Sequence, residues 1–553
     1  MIISEPISVN MRLIALALGV FAASGVGEVV MPWWNNAVYY RILVDSFKDG
    51  DGDGLGDLQG AAKQISYVRA LGADAVILSP LSARSTDCSK AGAVNFTQID
   101  QRYGDLDKFN NFLKKANKLE LKVVITLQFE AISASSEWFN FSAERKIGYE
   151  DRVLWKEGAP DEAPTIENFL VNWTWHGDRN AYYGASNNEA LLNLCAENTA
   201  AALSEAQCIW LKRGVAGVLL KVNFALDRKC GTKLLGKLVA DAMSCVRGAN
   251  LVTPVIIVET AVSSVASGEY YGGEGIGANT VISNALTAAT RPSAPDLALA
   301  IHAAMLNSPE DMTPTWLTSA QSENRITTRY GGDLVDAINL LALILPGAAI
   351  IQQGDELGAA DTLLEWATNT DCWPILGTPS TAPFPWDDTN GAGFTSGQPW
   401  LPLAPNYRYA NAKTEFANDL SHVGVVRVAA AMRKSPAMGP HTEIKRLGYA
   451  IAVLRWGGTG SLLLVINLGR VQTEVQLSRI PGLPTVMTVA ASSGGSSVIS
   501  GLHVNIENSL KLKSSEAVLL AGPHRHCGGP GPVDKIASKL SEGWQKINKY
   551  FST

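Results

Sequence analysis

Two apolar runs each end in a single ionisable residue. Lys221 closes the first in VLLKVNFAL (218–226), and Glu259 closes the second in IIVETA (256–261). A lysine buried alone suffers a depressed pKa and a lone buried carboxylate a raised one; paired, each keeps the other charged. If the two runs are neighbouring strands, Lys221 and Glu259 are expected to form an ion pair, direct or through one water. The alternative for Lys221 is a surface position outside any pocket. A third stretch, DGDGDGLGD (49–57), spaces Asp49, Asp51, Asp53 and Asp57 among glycines that allow a tight wrap. Hard oxygen donors at that density suit Ca²⁺, although the loop is not an EF-hand and lacks its terminal Glu. An acidic turn without an ion is the alternative. The GDE at 354–356 is a weak signal by comparison.

The elements that must hold these residues alternate along the chain. Strand-length apolar runs occur at 38–45, 74–80, 122–128, 216–222, 255–260, 280–283, 315–319 and 348–353, with helical patterns between the earlier ones. Eight such runs over about 400 residues fit an α/β fold, a (β/α)₈ barrel, better than an open sheet. The barrel is expected over 33–128 and 191–435, interrupted after its third strand by an insert subdomain at 129–190. From 436 to 522 the pattern becomes all-β with glycine turns, as in YAIAVLRW and SLLLVINLG, and predicts a C-terminal β-sandwich. In the tail, 523–553, Val533, Ile536, Leu540, Trp544, Ile547 and Phe551 recur at helical steps with lysines between them. That is an amphipathic helix, docked on its own domain or on a partner or membrane surface through 533–551.

The motif WWNNAVYYRILVDSFKDGDGDGLGDLQG resembles the opening of the maltase and oligo-1,6-glucosidase branch of the α-amylase superfamily. The resemblance continues through YVRALGADAVILSP, YGDLDKF, GYEDRVLW, LPGAAIIQQGDELG and FPWDDTNGAGF, covering 33 to about 520. It implies the barrel, the insert and the sandwich that the strand pattern suggests independently. It also implies retaining hydrolysis by an Asp nucleophile and a Glu acid/base about 5 Å apart. The nucleophile position falls on Lys221 and the arginine two before it on Leu219. The acid/base matches Glu259. The His-Asp pair after strand seven falls on Gln321 and Ser322, and the strand-three Asp, Asn and His on Thr126, Glu130 and Ala131. The sugar-binding GYD falls on Lys90, Ala91 and Gly92. An ammonium cannot form a glycosyl ester, so the resemblance implies a scaffold retained without its chemistry. The calcium loop is kept, and the resemblance adds the Leu55 carbonyl to its ligands.

The remaining features bear on location. Net charge is −6, which gives no basic footprint for nucleic acid. Leu13 to Ala23 has the length of a signal-peptide h-region, with Arg12 before it and Ala23-Ser24-Gly25 as a cleavage site, so 1–25 is read as a signal peptide. A type II anchor over 13–31 is the alternative, with Gly25, Gly27 and Glu28 against it. Sequons at Asn95, Asn140 and Asn172 agree with export. Seven cysteines lack metal-ligand spacing; some are expected to pair, in a connectivity left open.

The leading expectation is an exported, non-catalytic glucosidase homologue that binds carbohydrate or protein. The first alternative is the heavy-chain ectodomain of a heteromeric amino-acid transporter, with a light chain as partner. NFTQIDQRYG and SLKLKSSEAVLLAG resemble those ectodomains, but no cysteine precedes Cys88 to link a light chain. The second is a residual α-glucosidase relying on Glu259.

Overall fold

Each of the eight apolar runs supplies a strand to one closed parallel barrel: β1 (Val38–Ile42), β2 (Ala75–Leu78), β3 (Lys122–Gln128), β4 (Gly217–Val222), β5 (Val255–Thr260), β6 (Thr280–Ser283), β7 (Thr315–Leu317) and β8 (Ala348–Gln352). They neighbour one another in chain order, and β8 closes on β1 with Val38 opposite Ala349. This computed structural model describes residues 32–160, 171–222, 228–247, 252–260, 266–271, 277–367 and 378–523. The expected signal peptide or anchor and the amphipathic tail helix lie outside them. No helix among the described residues is long and apolar enough to cross a membrane.

The strands are short and rich in Val and Ile because both faces are buried. Tyr39, Ile77, Val124, Leu219, Ile257, Ile282, Leu317 and Ile350 point inward and form one cluster in the barrel interior. Their alternates, such as Tyr40, Val76, Ile125, Leu220 and Val258, pack outward against the helices. Those helices include α1 (Leu58–Ala70), α2 (Leu106–Lys118), α3 (Glu197–Lys212), α4 (Arg228–Val246), α5 (Ala294–Leu306), α6 (Val335–Ile344) and α7 (His422–Arg433). Asp57 and Asp105 cap the amide ends of α1 and α2. All ten residues of α6 are buried, including Asp336, which is bonded to His422, and Asn339, which donates to the Asp355 carbonyl.

Two disulfides, Cys195–Cys230 and Cys208–Cys245, tie α3 and the segment before it to α4. They close loops of 35 and 37 residues, long enough to restrict the unfolded chain appreciably.

After β3 the chain leaves the barrel to form a five-stranded antiparallel sheet from Ala131–Ile132, Trp155–Glu157, Asn172–His176, Ala181–Ser186 and Glu189–Leu191. Aromatic rings pack on it edge to face, Phe139 of the helix Glu137–Ala143 against Tyr183, and Trp155 against His176. Beyond α7 a six-stranded antiparallel sheet spans His441 to Gly522. A two-stranded ribbon covers one face of it, burying Val475, Leu510 and Leu512 against Leu463, Val465 and Leu520. Arg455 of this sheet fastens the domain to the barrel beside Arg433, the last residue of α7. Both are buried, and both donate to backbone carbonyls at the end of α6, including Leu343 and Ile344.

Candidate functional site

The inward-facing positions continue one layer beyond the apolar plug. On β1 the residue two after Tyr39 is Arg41; on β4 the residue two after Leu219 is Lys221; on β5 the residue two after Ile257 is Glu259. The period of two along a strand therefore aims all three at the carboxyl-terminal mouth of the barrel. Lys221 and Glu259 are direct register partners across β4 and β5.

They do not form the expected direct ion pair. The Glu259 carboxylate is held by Arg41 instead, through two hydrogen bonds, Nη1 to Oε1 at 2.9 Å and Nη2 to Oε2 at 3.1 Å. Side-chain exposure there is only 4% for Arg41 and 14% for Glu259, so water competes little with the pair. Lys221 donates instead to the side-chain carbonyl of Gln321 at 3.2 Å. The physical reason is geometric. A guanidinium presents parallel N–H groups that match both carboxylate oxygens, whereas an ammonium offers one point contact. Arg41 is the functional residue that sequence reasoning missed. Its signal was present: it is the one charge inside the apolar VYYRI strand, in phase with inward Tyr39.

The electrostatics follow from this arrangement. Burial pushes the Glu259 carboxyl up, but Arg41, then Lys221, and the Arg41 hydrogen bonds outweigh it and hold the group below the usual carboxylate range. Burial is the largest influence on the Lys221 ammonium and lowers it; the Glu259 charge raises it, Arg41 and Arg84 lower it, and the group ends below its ordinary value.

A cavity of about 810 Å³ opens over this layer, walled by barrel residues and by the insert sheet. Lys221, Glu259 and Ser322 line it, with Trp155 and Trp173 contributed by the insert. Arg84 and Glu189 pair across its wall at 3.2 Å. Of the other sequence-predicted positions, Leu219 lies below the cavity in the apolar plug. Gln321 is fixed through its backbone carbonyl, which accepts from the Thr378 and Ser380 hydroxyls. Thr126 is buried in β3, Glu130 and Ala131 line the cavity, and Lys90 is exposed in the turn at 88–90. The surface position considered for Lys221 is thereby excluded.

In the 49–57 loop, carboxylate oxygens of Asp49, Asp51 and Asp57 lie within 4.8 Å of one another. Asp53 is not in that group; its Oδ1 accepts the Leu55 amide at 2.8 Å. The wrap requires glycine at 52 and 54, both with φ of +95°. Asp49 accepts the amides of Asp51, Gly52 and Gly54 and the Thr395 hydroxyl, so this carboxylate also organises the loop itself. Lys63 brings an ammonium to the Gly50 carbonyl at 2.7 Å. The three converging carboxylates are an all-oxygen donor set that fits a hard cation. Among the sequons, Asn140 and Asn172 are exposed, while Asn95 is half-buried and its side-chain oxygen accepts from Thr97.

Comparison with known proteins places this geometry. The family described as alpha amylase, catalytic domain, matches residues 41–233 and 278–439, well over half the chain. Maltase 1 of Drosophila virilis is 28% identical over 517 residues, covering 83% of this chain and 82% of that protein. The human amino acid transporter heavy chain SLC3A1 is 24% identical over 530 residues, covering 87% of this chain and 77% of that one. Among solved structures, the α-glucosyl transfer enzyme XgtA superposes with a TM-score of 0.75 at 25% identity, over 89% of this chain and 100% of that one. A closed barrel, an insert after its third strand, a C-terminal β domain and a family match across both barrel segments agree: the chain belongs to the α-amylase family.

Proposed function

We propose that the protein is an exported glucosidase homologue that has given up hydrolysis and acts by binding, with a carbohydrate or a protein as its ligand. One observation carries the reading: at the two positions that the family resemblance assigns to the carboxyl pair of a retaining site, the chain has Lys221 and a Glu259 clamped by Arg41. Retaining chemistry needs two carboxyl groups about 5 Å apart, one of them nucleophilic. Lys221 offers an ammonium in place of the nucleophile, and a cation there repels an oxocarbenium-like transition state. Glu259 cannot readily supply the proton either. A general acid works best with a pKa near the operating pH, and Arg41 holds this one below the ordinary carboxylate range with both oxygens engaged. The secreted location is supported by the two disulfides, which persist in oxidising compartments. Exposed Asn140 and Asn172 are suitable glycan acceptors.

The test is hydrolysis of maltose, sucrose and a nitrophenyl α-glucoside by the purified chain. The expected result is no release of product above a heat-inactivated control. Turnover near ~1 s⁻¹, ordinary for enzymes, overturns the reading and restores the residual α-glucosidase.

The likeness to the human transporter heavy chain favours a second reading, an ectodomain paired with a light chain. Carbonate extraction from native membranes separates the two. A soluble product excludes the heavy chain, and retention in the pellet favours it.

The 49–57 loop is proposed to hold Ca²⁺ through Asp49, Asp51 and Asp57 with the Leu55 carbonyl, as a structural ion. A ligand that binds only the folded state adds about 2.7 kcal/mol at 100 times its Kd. Chelation is therefore expected to lower the melting temperature, and calcium to restore it. An unchanged melting curve, with no ion found by elemental analysis, counts against the site.

A further inference from the structure

The Lys221 amine has a chemical use other than repelling a cationic transition state. It lines a cavity of about 810 Å³ rather than being packed into the core. The structure places its Nζ against one amide oxygen, that of Gln321. Among the described residues no carboxylate comes within 4.0 Å of it, because its register neighbour Glu259 is engaged by Arg41. The charged groups facing it are Glu259 from the adjoining β5, Arg41 from β1 across the barrel mouth and Arg84 from the short strand Ser82–Arg84 that follows β2. Burial is the largest influence and favours the neutral amine; Glu259 opposes it, and Arg41 and Arg84 act with the burial. A lysine desolvated beside other cations is the setting in which the amine serves as a nucleophile toward carbonyl compounds.

We propose that the cavity captures a small hydroxylated aldehyde as an imine of Lys221. The nitrogen lone pair attacks the carbonyl carbon and the C=O π pair moves to oxygen. Proton transfer from nitrogen to that oxygen gives a carbinolamine. Loss of water then leaves the C=N bond, so amine and aldehyde yield imine and water with no change of oxidation state. Gln128, Asn284 and Ser322 supply polar groups around the cavity for the ligand hydroxyls, and Trp155 and Trp173 supply apolar ring faces. The inference rests on the amine at position 221, and it adds covalent capture to the binding role proposed above.

Glycolaldehyde is the probe, applied to the full chain at neutral pH with cyanoborohydride to reduce any imine to a stable secondary amine. Peptide mapping then compares Lys221 with the exposed Lys114 and Lys118 of α2. Lys221 is expected to be modified roughly tenfold faster or more, as an activated amine in a pocket should be. Lys221→Arg, which keeps the charge, should remove that fast phase and leave Lys114 and Lys118 labelling unchanged. Modification of Lys221 at or below the rate of the two exposed lysines overturns the proposal. Hydrolysis is a separate readout: glucosidase turnover would refute the non-catalytic reading while leaving the labelling ratio to decide this one.

Discussion

Glu259→Gln is expected to destabilise the folded chain by about 3–5 kcal/mol, the usual consequence of removing one member of a buried ion pair. The partner left uncompensated is Arg41, whose side chain is 4% exposed and which has both terminal nitrogens on the carboxylate. Arg41→Met should cost a similar amount by stranding Glu259. The double variant Arg41→Met, Glu259→Leu should recover much of the loss, because apolar replacement of a whole buried pair is often neutral or stabilising. Lys221→Met distinguishes this network from a lysine–glutamate pair. It removes an ammonium that burial, the largest influence, and two arginines disfavour more than Glu259 favours it, so it should be neutral or stabilising at neutral pH. Urea denaturation of the four variants reads all of this. An Arg41→Met chain as stable as the parent, with Lys221→Met costing several kcal/mol, would reverse the assignment.

The two groups also titrate with opposite consequences. The folded Glu259 pKa is depressed, so its stabilisation is present above the ordinary carboxylate range and is lost as pH falls through the folded value. The folded Lys221 pKa is depressed too, but for a base that is a penalty. It is full below the folded value and is relieved as pH rises from there toward the unfolded one.

The barrel was legible because its strands are buried on both faces, and continuous Val and Ile runs betray that without any knowledge of partners. The placement of Lys221 and Glu259 in one layer followed from strand order and a period of two. The choice of partner did not, because Arg41 arrives from a strand 218 residues away and competes on guanidinium geometry. The first run also extends less far than its composition suggests. It leaves the sheet at Ile42, and Val44–Phe47 turns helical, with the Val44 amide bonded to Ser79. In the 49–57 loop the alternation of aspartates predicted four equivalent donors. The chain turns twice at glycine and directs Asp53 to an amide, a local competition that residue spacing alone does not resolve.

The weak GDE signal at 354–356 has more physical content than its sequence suggested. Glu356 is fully buried beneath the barrel wall. Its Oε1 accepts the hydroxyls of Tyr40 and Tyr67, each at 2.7 Å, and its Oε2 accepts the Gly354 amide at 2.7 Å. Burial is the dominant influence and pushes the carboxyl up to about 7, with the two tyrosines restraining the rise and neighbouring Asp355 adding to it. The folded chain therefore holds a proton that the unfolded chain has already released above about 4.5. Stability from this group is present at low pH, declines as pH rises from about 4.5 to about 7, and is level beyond. The gap corresponds to about 3 kcal/mol. Glu356→Gln cannot titrate, and its side-chain oxygen can still accept from both tyrosines. A pH-independent part of its loss, about 1–3 kcal/mol, comes from its NH₂ facing the Gly354 amide donor to donor. The informative quantity is the stability of parent minus variant, which removes the parallel titration of other buried carboxyls. That difference should shrink by about 2.5 kcal/mol between pH 5 and pH 8. If it stays constant across the range, Glu356 is ionised throughout, and the two tyrosines have compensated fully for its burial.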